Sequence, residues 1–169
     1  MITDFDKYKD IPTIDCVSDD FWKMVKTANW GAVIKGYKDN PIIDKYHRDF
    51  LEHAKARVYL KYSYNQIRKF RPEYDIIYFK LYDWFQDDWL DGAFNVGEDG
   101  YGDLISSVIG KGKTFVKKCV KNSNLVIDLS EDDNYAENFC YILTDDEEEY
   151  TEIKTKYDPL LRDAKKYNF

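Results

Sequence analysis

The chain is poor in the residues that punctuate or cross-link a fold: its 169 residues include three Cys, two His, eight Gly and four Pro. Cys16, Cys119 and Cys140 are odd in number and form no CxxC pair, which argues against a disulfide framework or a zinc knuckle. Scarce Gly and Pro disfavour an all-β fold with many tight turns. No apolar run approaches the roughly 20 residues needed to cross a bilayer, so no membrane partner is expected. Excess positive charge is also lacking. Twenty-five Lys and Arg face 32 Asp and Glu, a net charge of −7, and direct nucleic-acid binding, which needs a clustered basic surface, is not expected. The opening Met1-Ile2-Thr3-Asp4-Phe5-Asp6 carries acid where a secretory leader carries Lys or Arg, so the expected location is cytoplasmic. With no linker and no internal repeat, residues 1–169 read as a single domain, 1–17 as an extended lead-in and 18–169 as a helical body.

What the chain has in quantity is aromatic surface: 15 Tyr, 10 Phe and 4 Trp within a hydrophobic fraction of 44%, enough to build a core. The pattern is helical. Ser18 before Asp19-Asp20 reads as an N-cap with acids in the first turn, followed by the stripe Phe21, Trp22, Val25, Ala28. Residues 30–38 fit a short helix or a loop. Asn40-Pro41 reads as a helix start, and apolar positions from Ile42 to Ile67 recur every three to five residues, as one helix to about Phe70 or two with a kink near Ser63. Arg71-Pro72 is expected to break it and to open another helix through Trp84 and Trp89. Gly97 to Gly100 reads as a turn, and Gly110-Lys111-Gly112 as the corner between helices 101–109 and 114–120. Leu125–Leu129 is the one candidate strand, leaving room for a short β-hairpin. Ser130 with Asp133 resembles a capping pattern, Tyr135 to about Tyr150 reads as helical with Phe139, Ile142 and Leu143 inward, and Asp158-Pro159 as the start of a last helix. The expected fold is a mainly α, single compact helical domain.

Four patterns invite a chemical reading. Ser107 to Thr114 ends in the Gly-Lys-Thr of a phosphate-binding loop, but Ser107 stands at its first Gly, its context is helical, and only 55 residues follow Thr114. A helix corner is the better reading. His47 and His53 lie six apart, about 240° around a helix, so they do not share the face that a zinc pair needs. Cys–His nucleophilic catalysis would need a pairing that nothing in the sequence provides. Asp87, Asp88 and Asp91 suit general acid–base or metal work, or simply the solvated edge of an aromatic helix. No catalytic residue, metal site or cofactor is assigned.

Charge is unevenly spread. From Asn122 to Ile153 there are eleven acids and no Lys or Arg, directly after Lys111, Lys113, Lys117, Lys118 and Lys121. Two solvated faces would explain this, and so would an acidic docking surface for a basic partner. The candidate partner-binding residues are Asp145, Asp146, Glu147, Glu148 and Glu149, with Glu131, Asp132 and Asp133. The five consecutive acids are expected to lie near a helix C-terminus, where they oppose the macrodipole, with no nearby cation to offset them.

The segment Trp89-Leu90-Asp91-Gly92-Ala93-Phe94-Asn95-Val96, with Asp99-Gly100-Tyr101, Leu104, Val108-Ile109 and Gly112, resembles the bacterial domain-of-unknown-function family 4240. Phe21-Trp22, Asn124-Leu125 and Glu137-x-Phe139-x-Tyr141 are similar as well, so the resemblance touches residues 19–150. Ile105 and Ser107 stand where the family has Arg and Trp. The resemblance implies a mostly helical fold, supplies no established catalytic residues and makes Gly112 a helix end. The functional expectation is a non-enzymatic acidic protein that neutralises a basic protein partner, as a toxin-immunity protein or a phage anti-defence inhibitor of a nuclease does. The alternative is a small carboxylate- or metal-dependent hydrolase.

Overall fold

Helix boundaries follow from local chemistry along much of the chain. The computed structural model describes residues 14–39, 44–131 and 139–161. After a 3₁₀ turn at Ile14–Cys16, the Ser18 side chain accepts the Phe21 amide at 3.1 Å and starts α1, Asp19–Ala28, as its position predicts. Asn29 ends α1 in the left-handed region at φ 50°, a conformation that Asn tolerates. Its terminal carbonyl, that of Ala28, accepts two hydrogen bonds from the Arg57 guanidinium at 3.0 and 2.8 Å. Residues 30–39 form α2, Trp30–Asp39, rather than a loop. The start expected at Asn40-Pro41 lies outside the described residues. Helix α3, Asp44–Tyr59, follows and packs against both α1 and α2.

Between Tyr59 and Ser63 the chain turns, and Ser63 and Gln66 then cap each other's backbone reciprocally to open α4, Tyr64–Leu90. Of the two arrangements open to residues 42–70, the broken one is therefore found. Pro72, however, does not break the next helix but lies inside α4. The reason is visible in the stripe Ile67, Phe70, Tyr74, Ile77, Leu81 and Phe85, all buried, which runs past Pro72 at helical spacing. Pro72 itself is exposed, so the backbone hydrogen bond it forfeits lies on the water side, where solvent replaces it.

The segment expected to turn at Gly97–Gly100 instead begins α5, Glu98–Gly110, with Gly97 as its N-cap. From Leu104 to Gly110 every residue is buried. A helix buried on all sides belongs at the centre of its protein, and α5 touches α1, α2, α4, α6 and α7. Lys111 and Gly112 then turn the chain into α6, Lys113–Lys121, confirming the expected corner.

No strand occurs among the described residues, and the β-hairpin allowed for Leu125–Leu129 is not formed. These residues lie in α7, Asn124–Glu131, where Val126 and Leu129 are buried at a spacing of three. An isolated five-residue strand would leave its backbone groups without partners. Ser130 lies within α7 and donates to the Ile127 carbonyl at 2.7 Å; it does not cap a following helix, and its supposed partner Asp133 falls outside the described residues. Of the segment expected to be helical from Tyr135 to about Tyr150, residues 135–138 lie outside the described residues, Phe139–Ile142 is a 3₁₀ turn, and an irregular stretch follows before α8, Glu147–Leu161. Phe139, Ile142 and Leu143 are nevertheless buried. Pro159 is inside α8 rather than at a new start. The fold is all-α, built on one hydrophobic cluster to which α1 to α8 contribute.

Candidate functional site

The acidic run sits at the opposite helix pole from the one expected. Glu147, Glu148 and Glu149 form the first turn of α8, where the macrodipole favours negative charge by roughly 0.3–1 kcal/mol each. Asp146 caps this end, its Oδ1 accepting the Glu148 amide at 2.9 Å and the Glu149 amide at 3.1 Å. Tyr64 donates to the Asp145 carbonyl at 2.5 Å, pinning the stretch to the head of α4. A cation is also present: Lys55, only 8% exposed, pairs with Glu149. Asp145, Asp146, Glu147 and Glu148 remain exposed. The candidate residues Asp132 and Asp133 lie outside the described residues, and for Glu131 only its place at the end of α7 is described.

Acids that do oppose a macrodipole are found elsewhere. The last turns of α4 carry Asp83, Asp87 and Asp88, Asp91 is its C-cap, and its last turn holds no basic residue. Phe79, Asp83, Asp87 and Leu90 follow at intervals of four, four and three and therefore share one face. Phe79 is 62% exposed and Leu90 65%. Among the described residues none of Asp83, Asp87 and Asp91 enters an ion pair. The carboxylates weighed for acid–base work are therefore placed on an exposed helix end, next to the unburied apolar side chains of Phe79 and Leu90.

The helix corner at Gly112 borders a cavity of about 710 Å³ between the α1–α2 junction and the α5–α6 turn. Lys23, Lys26, Lys111 and Lys113 line it together with Asp19, Trp22, Trp30 and Thr114. Lys113 reaches Asp19 at 3.1 Å, and Lys23 reaches Asp20, also at 3.1 Å. Gly112, at φ 96° and ψ 170°, gives α6 no side-chain cap. Gly110 lets Trp30 approach so closely that an added Cβ would stand 2.5 Å from Cδ1 of the indole. Sequence reasoning found the Gly and Lys of this corner but not Trp22, Trp30, Lys23 and Lys26. The helical spacing of α1 marks Trp22 as part of a core stripe and leaves Trp30 in a segment that fits a helix or a loop, and only the tertiary approach of α1 and α2 to α5 brings these residues to the corner.

The remaining nucleophile and metal candidates are dispersed. Burial pushes the Cys119 thiol up to about 12, so it keeps its proton at neutral pH. Cys140 is also raised by burial, and Cys16 is exposed. His53 rests edge-on against Tyr157, ring centroids 5.5 Å apart, while the His47 side chain is outside the described part. Among the described residues no three His, Cys, Asp or Glu side chains converge as a metal site, and no described helix is long and apolar enough to cross a membrane. Comparison with known proteins finds no family model, no curated protein and no solved structure that matches this chain.

Proposed function

We propose that this chain is a non-enzymatic binding protein that neutralises a basic macromolecular partner, in the manner of a toxin-immunity protein or a phage-encoded inhibitor of a defence nuclease. One observation carries the reading: Phe79 and Leu90 are exposed on the same face of α4 as Asp83 and Asp87, which enter no ion pair among the described residues. Desolvated apolar anchors hold a complex, and surrounding charge steers its encounter. A basic partner would also relieve the repulsion between Asp87 and the C-terminal pole of α4. Asp145, Asp146, Glu147 and Glu148 add a second exposed negative patch that extends the steering field.

The test is affinity capture from a bacterial extract with the wild-type chain, with Asp83→Lys/Asp87→Lys, and with Glu147→Lys/Glu148→Lys. The wild type is expected to enrich one protein of basic surface. The α4 reversal should reduce its recovery about tenfold or more, and the α8 reversal should act mainly on association rate at low salt. A captured set indifferent to both reversals and to ionic strength would overturn the proposal. A divalent-metal thermal shift abolished by Asp87→Asn/Asp91→Asn would point to metal-dependent hydrolysis instead.

A further inference from the structure

The cavity at the α5–α6 corner is an enclave of hydrogen-bond donors in an acidic protein, and we propose that it binds a small phosphate-bearing ligand. Four lysines line it against one carboxylate, Asp19, in a chain of net charge −7. Internal pairing does not consume them all. Asp19 engages Lys113 and Asp20 engages Lys23, but Lys26 forms no ion pair among the described residues, and Lys111 lies over the Phe115 ring at 4.8 Å. Two ammonium groups thus remain for an anion.

The backbone adds to this charge. Gly112 has no side chain with which to cap α6, so the amides of its first turn present the positive pole of the helix toward the cavity edge formed by Gly112, Lys113 and Thr114. A third observation is independent of helix and lysines. Trp22 and Trp30, 7% and 1% exposed, both line the cavity. Their rings therefore give the cavity a flat apolar wall beside its ammonium groups. Ammonium and backbone amide groups are all donors, and Thr114 supplies a hydroxyl. A phosphoryl group, with several acceptor oxygens and more than one negative charge, matches that set better than a single carboxylate does. At about 710 Å³ the cavity falls in the range of small-molecule sites, so it has room for more than an inorganic ion. The arrangement is not the strand-fed phosphate loop that the Gly-Lys-Thr spelling suggests, because the preceding residues are the buried central helix α5.

Titration of the full chain with pyrophosphate and with ATP tests this directly, read by tryptophan emission and by thermal unfolding, with sodium sulfate at matched ionic strength as reference. A saturable change in emission and a raised melting temperature are expected with at least one phosphate probe, beyond the sulfate response. Lys26→Ala/Lys111→Ala replaces two exposed side chains and should weaken apparent affinity tenfold or more while leaving the unliganded melting temperature near the wild-type value. Saturation by pyrophosphate would assign recognition to the phosphates alone, and saturation only by ATP would add the nucleoside to the recognised group. No saturable response to either probe, a response equal to that of sulfate, or a response untouched in the double variant would overturn the proposal.

Discussion

Trp30 is held by what its neighbours lack. It meets Phe139 edge-on, with centroids 5.2 Å apart, and lies over Gly110, where an added Cβ would stand 2.5 Å from Cδ1 and 2.7 Å from Cγ. Ala is favoured over Gly in a helix by roughly 1 kcal/mol, but a rigid indole in the core cannot yield by that distance. Gly110→Ala is therefore expected to destabilise the fold by about 1–3 kcal/mol. Gly112→Ala should cost a similar amount for another reason. Nothing lies within 4 Å of its added Cβ, but φ 96° with ψ 170° is backbone territory that L side chains avoid, at about 1–3 kcal/mol. Gly31 is the control: it lies in α2 with open space around it, so Gly31→Ala should stabilise by up to about 1 kcal/mol. Urea midpoints check all three signs, and a stable Gly110→Ala would mean that Trp30 repacks freely.

At the scale of elements, signals that rest on a single cap were legible and signals that depend on tertiary packing were not. Ser18 marked the start of α1, and Gly110 to Gly112 marked the corner, because those residues act on backbone within their own turn. The reading of Pro72 and Pro159 as helix starts failed because both lie in helices that packing extends. Leu125–Leu129 failed because a short apolar run has no decisive period. The acidic run was assigned to the wrong helix pole because its boundary was misplaced, and that reversed the sign of its electrostatics. The cavity was half legible: Lys111 and Lys113 stood out in the chain, whereas Trp22 looked like core and Trp30 stood in a segment open between helix and loop. α4 offers a test of the balance between packing and backbone. Pro72→Ala restores a hydrogen-bond donor without touching the buried stripe and should stabilise by about 1–3 kcal/mol. Ser63→Ala removes half of the capping box seen at the head of the same helix and should cost about 1 kcal/mol. Opposite shifts in the denaturation midpoint are expected; destabilisation by Pro72→Ala would show that the proline ring itself is needed for packing.

The molecule as a whole is closed by the docking of α8 onto α3, which brings the late part of the chain back to its first half. The contact is partly a titratable latch. Burial pushes the Glu52 carboxyl up, but hydrogen bonds from Lys156 and Tyr157 outweigh it and hold the carboxyl below its ordinary value of 4.5. Next to it, burial lowers the His53 imidazole from its ordinary value of 6.5, and nearby Arg57 acts in the same direction, against Asp49 and Glu52. The signs of the two contributions agree. A histidine with a depressed pKa binds protons less readily folded than unfolded, so stability falls as pH drops below 6.5 toward the folded value. A carboxyl with a depressed pKa stabilises the fold above 4.5, and that contribution is lost as pH falls below 4.5 through the folded value. Unfolding should therefore become easier in two steps on acidification, the first owed to His53 and the second to Glu52. His53→Phe retains an aromatic ring facing Tyr157 and removes the titration, so the loss that sets in as pH falls below 6.5 should shrink while the lower step remains. Thermal unfolding of the two chains across this range, with an NMR titration of the His53 ring, separates the effects. An imidazole that titrates at or above its ordinary value, or a His53→Phe profile that overlays the wild type, would place the acid sensitivity of the molecule outside the α3–α8 contact.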